Sequence, residues 1–180
     1  KRKNIDFVVV HTGQHYSYFF DGLFFKQLNF PKPDYHLKIG SGTQSHQLGQ
    51  LVQKFEKVLL KEKPDLVFSF SDANPALSGI VASKMGIKVA HLEAGMRSYD
   101  ERMLEEINRK VCDHVSNCLF VYHENYRQKA LKEGIPEERI FVVGNTVVEP
   151  LKKIANLDYI GQKSHILLDI HRPENFKYPE

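Results

Sequence analysis

The 180 residues are 42% hydrophobic and 26% charged, with a formal net charge of +3 at pH 7, the balance of a globular chain long enough to bury a sizeable core. That composition excludes a disordered chain, and so small a charge, spread over helical faces beside Glu, excludes a nucleic-acid partner. No apolar run approaches the ~20 residues of a membrane span, so no membrane partner is expected.

In chain order, Lys1-Arg2-Lys3-Asn4 leads straight into a strand at Phe7-Val8-Val9-Val10 instead of an apolar signal segment, which points to the cytoplasm. Tyr18 to Leu28 carries Phe, Leu and Tyr at helical spacing, and Pro31-Lys32-Pro33-Asp34 breaks it. Between Thr43 and Lys63, Leu48, Leu51, Val52, Phe55, Val58 and Leu59 recur at steps of three and four, so a long helix is expected, closed by Pro64. Strands at Asp65–Phe70, Lys88–Leu92, Leu119–Tyr122 and Ile140–Val143 then alternate with helices at Pro75–Met85, Met103–Val115, Asn125–Glu133 and Val147–Ile154. Such alternation predicts βαβ units and a parallel sheet covered on both faces. The polar stretch Ala155 to Ser164 reads as a linker, and Ile166 to Ile170 as the first strand of a second domain. The expected domains are therefore 1–154 and 165–180, joined by 155–164. Cys112 and Cys118 lack metal-ligand spacing and read as two reduced thiols.

Open α/β sheets bind ligands beyond the carboxyl ends of their strands. Three strands deliver chemistry to that edge: Phe70 runs into Ser71-Asp72, His91-Leu92 into Glu93-Ala94-Gly95, and Ile170 into His171-Arg172-Pro173-Glu174-Asn175. Each acid has a plainer reading. Asp72 suits the cap of the next helix, and Glu93 suits a surface turn paired with Arg97. On the helix from Met103, Glu106 has Arg102 and Lys110 four residues away, the pattern of a solvated ion-pair stripe. Leu104, Ile107, Val111 and Val115 form the apolar stripe of that helix, and Glu105 shares another face with Asn108, Arg109 and Cys112.

Thr12-Gly13-Gln14-His15-Tyr16, Pro31-Lys32-Pro33-Asp34-Tyr35, Ile39-Gly40-Ser41-Gly42, His91-Leu92-Glu93-Ala94-Gly95-Met96-Arg97-Ser98, Glu105-Glu106-Ile107-Asn108-Arg109, Val143-Gly144-Asn145-Thr146-Val147 and His171-Arg172-Pro173-Glu174-Asn175 occur in this order. Together they resemble the non-hydrolysing UDP-N-acetylglucosamine 2-epimerases over essentially the whole chain. The resemblance implies a Rossmann-like, doubly wound α/β domain, the first of two in a glycosyltransferase-B-like fold, with the start of the second domain at the end of the chain. It implies interconversion of UDP-GlcNAc and UDP-ManNAc by elimination and re-addition of UDP, with UDP-sugar as partner and no metal or other cofactor. Asp72, Glu93, Glu105 and His171 match the family's catalytic positions, and Arg172 and Glu174 lie beside the last of these. Gln14 and His15 match a pair that binds a second UDP-sugar in bacterial relatives, but Ser17 replaces a further glutamine of that site. Relatives commonly form dimers, which leaves a homodimer open.

Ser71, Ala73 and Leu104 stand where the family usually has Gly, Thr and Pro, and Tyr122-His123 where it has Pro-Thr. Tyr16, Pro33-Asp34-Tyr35 and Ser41-Gly42 also resemble the branch that acts on diacetamido-uronic UDP-sugars. An epimerase of that branch, a nucleotide-sugar glycosyltransferase and a silent UDP-sugar sensor are the alternatives. The resemblance further implies that a first strand preceding Lys1 and most of the second domain complete the enzyme, so these residues alone are expected to bind UDP-sugar weakly and not turn it over.

Overall fold

The computed structural model describes residues 5–13, 26 and 31–154. The expected helix at Tyr18 to Leu28 (Lys26 apart), the linker, and the strand at Ile166 to Ile170 lie outside them. Contacts divide the chain into two units, Lys1–Asn145 and Thr146–Glu180.

In the first unit, β1 (Val10–His11) pairs in parallel with β2 (Tyr35–His36). The apolar run Phe7 to Val10 thus yields only a two-residue strand, because pairing begins at Val10↔Tyr35. Tyr35-His36, hidden behind the Pro-rich break, carries no strand signal of its own. Helix α1 (Gln44–Glu62) follows. Thr43 caps it by accepting a hydrogen bond from the His46 N–H at 3.2 Å, and Lys63 ends it in the left-handed conformation. Of the stripe its periodicity predicts, Leu51, Phe55, Val58 and Leu59 are buried, Leu48 is half-buried and Val52 is exposed.

Four parallel strands come next, β3 (Leu66–Phe70), β4 (Lys88–Ala94), β5 (Cys118–Val121) and β6 (Ile140–Val142), in spatial order β3-β4-β5-β6. Between them lie α2 (Ser78–Lys84), α3 (Leu104–Val115) and α4 (Glu124–Lys132). The expected helix from Pro75 splits into a 3-10 turn at Asn74–Leu77 and then α2.

Strands that neighbour one another in chain order, joined by crossovers of one hand, put their connecting helices on one face. That face carries Val67, Val89, Leu119, Val121 and Ile140. The first of two cores joins Val67 and Val89 to α1, α2 and Cys112 of α3. The second joins Leu119, Val121 and Ile140 to Ala130 and Ile135. The opposite face is apolar but open. Leu66, Phe68, Phe70 and Phe141 are exposed, and Phe120 lies between Phe68 and Phe141 with ring centroids 5.9 and 5.7 Å away. Cover on both faces is therefore not seen among the described residues. In the second unit, α5 (Val148–Ile154) is the described element. No helix among the described residues is long and apolar enough to cross a membrane.

Candidate active site

Asp72 and Glu93 leave the carboxyl ends of the adjacent parallel strands β3 and β4, the edge where open α/β sheets hold ligands. Both turns are unusual. Ser71 has φ +76° and Glu93 φ +73°, in the left-handed region that side chains other than Gly rarely adopt. Glu93 is the extra residue of a β-bulge: Leu92 pairs with Phe120 and Ala94 with Val121. Bulges re-aim side chains beside active sites. Positive φ at non-Gly positions costs free energy and persists only where surrounding contacts over-determine it.

Helix α3 supplies those contacts from a polar face. The Asn108 amide donates to the Asp72 carbonyl at 2.8 Å, and Arg109 donates to Asp72 Oδ2 at 2.5 Å. Asp72 thus answers a guanidinium and caps no helix, since the 3-10 turn starts after Ala73 without a side-chain cap. The second arm of Arg109 donates to Glu106 Oε2 at 2.9 Å.

Glu106 is fully buried, and its carboxylate accepts from the Ser98 and Tyr99 N–H groups at 2.9 Å each and from the Ser98 hydroxyl at 3.0 Å. Burial pushes this carboxyl up, but the two amides, Arg109 and the Ser98 hydroxyl together outweigh it and hold it at about 2. The solvated ion-pair stripe expected for Glu106 is therefore corrected. The apolar stripe holds only in its second half, where Val111 packs against the first core. Leu104 and Ile107 are exposed, while Glu106, Asn108, Cys112 and Asp113 face inward, because what this helix meets is backbone amides and charged turns. Glu105 is exposed in the first turn of α3.

Glu93 behaves differently. Burial, then the nearby Asp72 carboxylate, pushes its carboxyl above the ordinary value, and Arg109 and His91 only partly oppose that. A partly desolvated acid beside a second acid, with a cation nearby, is the usual electrical setting of a proton-transfer group. The expected pairing of Glu93 with Arg97 does not form. Arg97 is buried and binds Asp113 Oδ2 at 2.8 Å and Glu133 at 2.6 and 2.8 Å.

Sequence reasoning assigns no role to Arg109, Asn108, His91 or Asp113. A signal is present, since Glu106, Arg109 and Asp113 repeat at helical spacing on one side of α3. Tyr122-His123 has a local reason, because His123 Nδ1 accepts from the Asn125 N–H at 3.1 Å and so caps α4. Thr12, Ile39, Gln47, Leu51, Asn74 and Pro75 line a small cleft between the β1 and β3 ends. Gln14, His15, His171, Arg172 and Glu174 lie outside the described residues. No group of three or more potential metal ligands occurs among the described residues.

A family model described as UDP-N-acetylglucosamine 2-epimerase matches residues 1–180. The chain belongs to this family. It is 47% identical over 188 residues to the UDP-N-acetylglucosamine 2-epimerase of Methanocaldococcus jannaschii, covering 97% of this chain and 51% of that protein. It is 36% identical to the UDP-2,3-diacetamido-2,3-dideoxy-D-glucuronate 2-epimerase of Pseudomonas aeruginosa, covering 99% of this chain and 53% of that one. The crystal structure of the M. jannaschii epimerase in complex with UDP-GlcNAc and UDP superposes with a TM-score of 0.84 at 48% identity, over 89% of this chain and 45% of that one. The chain thus spans about half the length of the curated relatives it matches, and its α/β fold is that of UDP-N-acetylglucosamine 2-epimerases.

Proposed function

We propose that these residues form one half of the active site of a UDP-sugar 2-epimerase interconverting UDP-GlcNAc and UDP-ManNAc. The observation that carries this reading is the pair of acids, Asp72 and Glu93, on adjacent strand ends, with Arg109 bonded to Asp72 and its charge felt by Glu93. In the reaction a base removes the C2 proton, the C1–O bond to UDP breaks, and the resulting glycal takes UDP back at C1 and a proton at C2 from the other face. Two acids of different proton affinity suit that exchange. Glu93, with its raised carboxyl, exchanges the proton on one face. Asp72, held against Arg109, and Glu105, on the first turn of α3, are the remaining acids of the described half.

On their motif alone, His171, opening the second domain after a linker at 155–164, is assigned a catalytic role near the diphosphate, Arg172 a positive charge beside the same phosphates and Glu174 a substrate contact, and Gln14 and His15 are assigned to further UDP-sugar contacts on theirs. The proposed reaction needs no cofactor. The two free cysteines suit the reducing cytoplasm, and a homodimer is proposed on family resemblance. A second substrate, a UDP-diacetamido-uronic sugar, is favoured by the 36% identity to the P. aeruginosa enzyme.

Incubation of the full-length protein with each UDP-sugar in deuterated water tests the proposal. Solvent deuterium should appear at C2 of the accepted substrate and in its epimer. Glu93→Gln and Asp72→Asn should each slow this by roughly a hundredfold with UDP affinity nearly unchanged. Transfer of the sugar without C2 exchange, or binding without exchange, would refute the epimerase reading.

A further inference from the structure

A charged chain beneath the two acid-bearing turns takes no part in the proposed proton transfers. His91, buried in β4, places Nδ1 2.8 Å from Asp113 Oδ1, and its Nε2 donates to the Ser71 carbonyl at 3.1 Å. The other oxygen of Asp113 accepts the Gly95 N–H at 3.0 Å and binds Arg97 at 2.8 Å. One end of this chain therefore holds the residue before Asp72, and the other holds the residue two beyond Glu93. Ser71 and Glu93, beside these two anchor points, are two of the five non-Gly residues at positive φ among the described residues. Such backbone relaxes unless fixed from outside. Arg97 and Gly95 occupy Oδ2, and both ring nitrogens of His91 face oxygen atoms.

We propose that Asp113, acting through His91, is a positioning residue that holds the Asp72 turn and the Glu93 bulge at the spacing proton transfer needs. The inference rests on the reading of Asp72 and Glu93 given above. Asp113 touches no substrate in this proposal. A carboxylate serves here because it spans three partners on β4 and the loop that follows it: a ring N–H, a backbone N–H and a guanidinium.

The test uses the full-length protein, UDP-N-acetylglucosamine and C2 deuterium exchange, with Asp113→Asn, His91→Gln, and Glu133→Gln as control. Glu133 binds Arg97 at Nε and at Nη2, the nitrogen that also reaches Asp113, but it ends α4 and lies on neither acid-bearing turn, so its variant should keep kcat within threefold of wild type. Asp113→Asn and His91→Gln should each lower kcat at least tenfold while KM and UDP affinity change less than threefold. The charged groups facing His91 are Asp113 from α3 and Glu93 on its own strand, and those facing Glu93 are Asp72, Arg109 and His91. Because His91 lowers the Glu93 carboxyl, His91→Gln should also move the acid limb of the kcat profile to higher pH.

A folded Asp113→Asn or His91→Gln protein with wild-type kcat would overturn the proposal, as would Glu133→Gln losing as much kcat as they do. The Gly95 amide in wild-type protein gives a readout independent of any variant: slow hydrogen exchange is expected, and fast exchange would overturn the clamp. Glu93→Gln and Asp72→Asn run alongside. Full turnover in those two would refute the site itself, whereas their loss with Asp113 and His91 variants unaffected would refute the clamp alone.

Discussion

Glu106 shows how one side chain ties the architecture beside the acids to pH. Its carboxyl sits at about 2 against an ordinary 4.5, so its stabilisation is fully present above 4.5 and is lost as pH falls from there toward 2. The difference corresponds to about 3 kcal/mol. Urea unfolding of Glu106→Gln should accordingly show a loss of that order at pH 7, shrinking toward nothing at pH 2. A loss independent of pH would mean that the charge is not what holds the Ser98–Tyr99 loop. Gly95 is constrained by space as well as by backbone: its φ is +74°, and a Cβ there would meet the Tyr126 carbonyl oxygen at 2.6 Å. Gly95→Ala should cost ~2 kcal/mol or more in thermal or urea unfolding. A neutral substitution would show that α4 moves aside freely.

Among the elements, α1 follows its sequence closely, with Val52 the exposed exception in its stripe. A Thr cap, an apolar stripe at steps of three and four, and a left-handed stop are all local properties, so the residues of the segment itself suffice to read the helix. Thr43→Ala should lower stability by about 1 kcal/mol, measured by urea unfolding, with wild-type stability refuting the cap. Helix α3 is the counter-case. Hydrophobic periodicity assigns its buried side to Leu104, Ile107, Val111 and Val115, yet its inward side carries Glu106, Asn108 and Asp113. Periodicity measures the cost of burying polar atoms without knowing the partners that offset it. Here the partners are backbone amides and charged groups set by the tertiary fold, which no periodic pattern encodes. The same blindness explains Tyr35-His36, whose strand exists only because β1 lies alongside. The acids on the strand ends are legible for the opposite reason, because strand direction in a parallel sheet fixes the ligand edge. Their partners Arg109 and Asn108 are not, since those are set by how α3 packs.

At the scale of the molecule, one face of the sheet is apolar and uncovered by any described residue. Leu66, Phe68, Phe70 and Phe141 are exposed together there, and contiguous apolar patches of this kind promote association. Residues 1–180 alone should therefore self-associate in sedimentation experiments, and Phe68→Ser should reduce this at a stability cost under about 1 kcal/mol. A monodisperse wild-type chain would count against an open face. The order β3-β4-β5-β6 has a kinetic meaning as well. Leu66 pairs with Lys88, Ala90 with Cys118 and Leu119 with Ile140, so each rung closes over a single helical connection and its turns. Parallel sheets are slow to form when distant segments must meet before any contact repays the lost chain entropy. In this arrangement each strand finds its neighbour already in place. The sheet can grow one strand at a time as the chain leaves the ribosome, with the acid-bearing turn of β3 waiting for β4 and α3 to bring it into register.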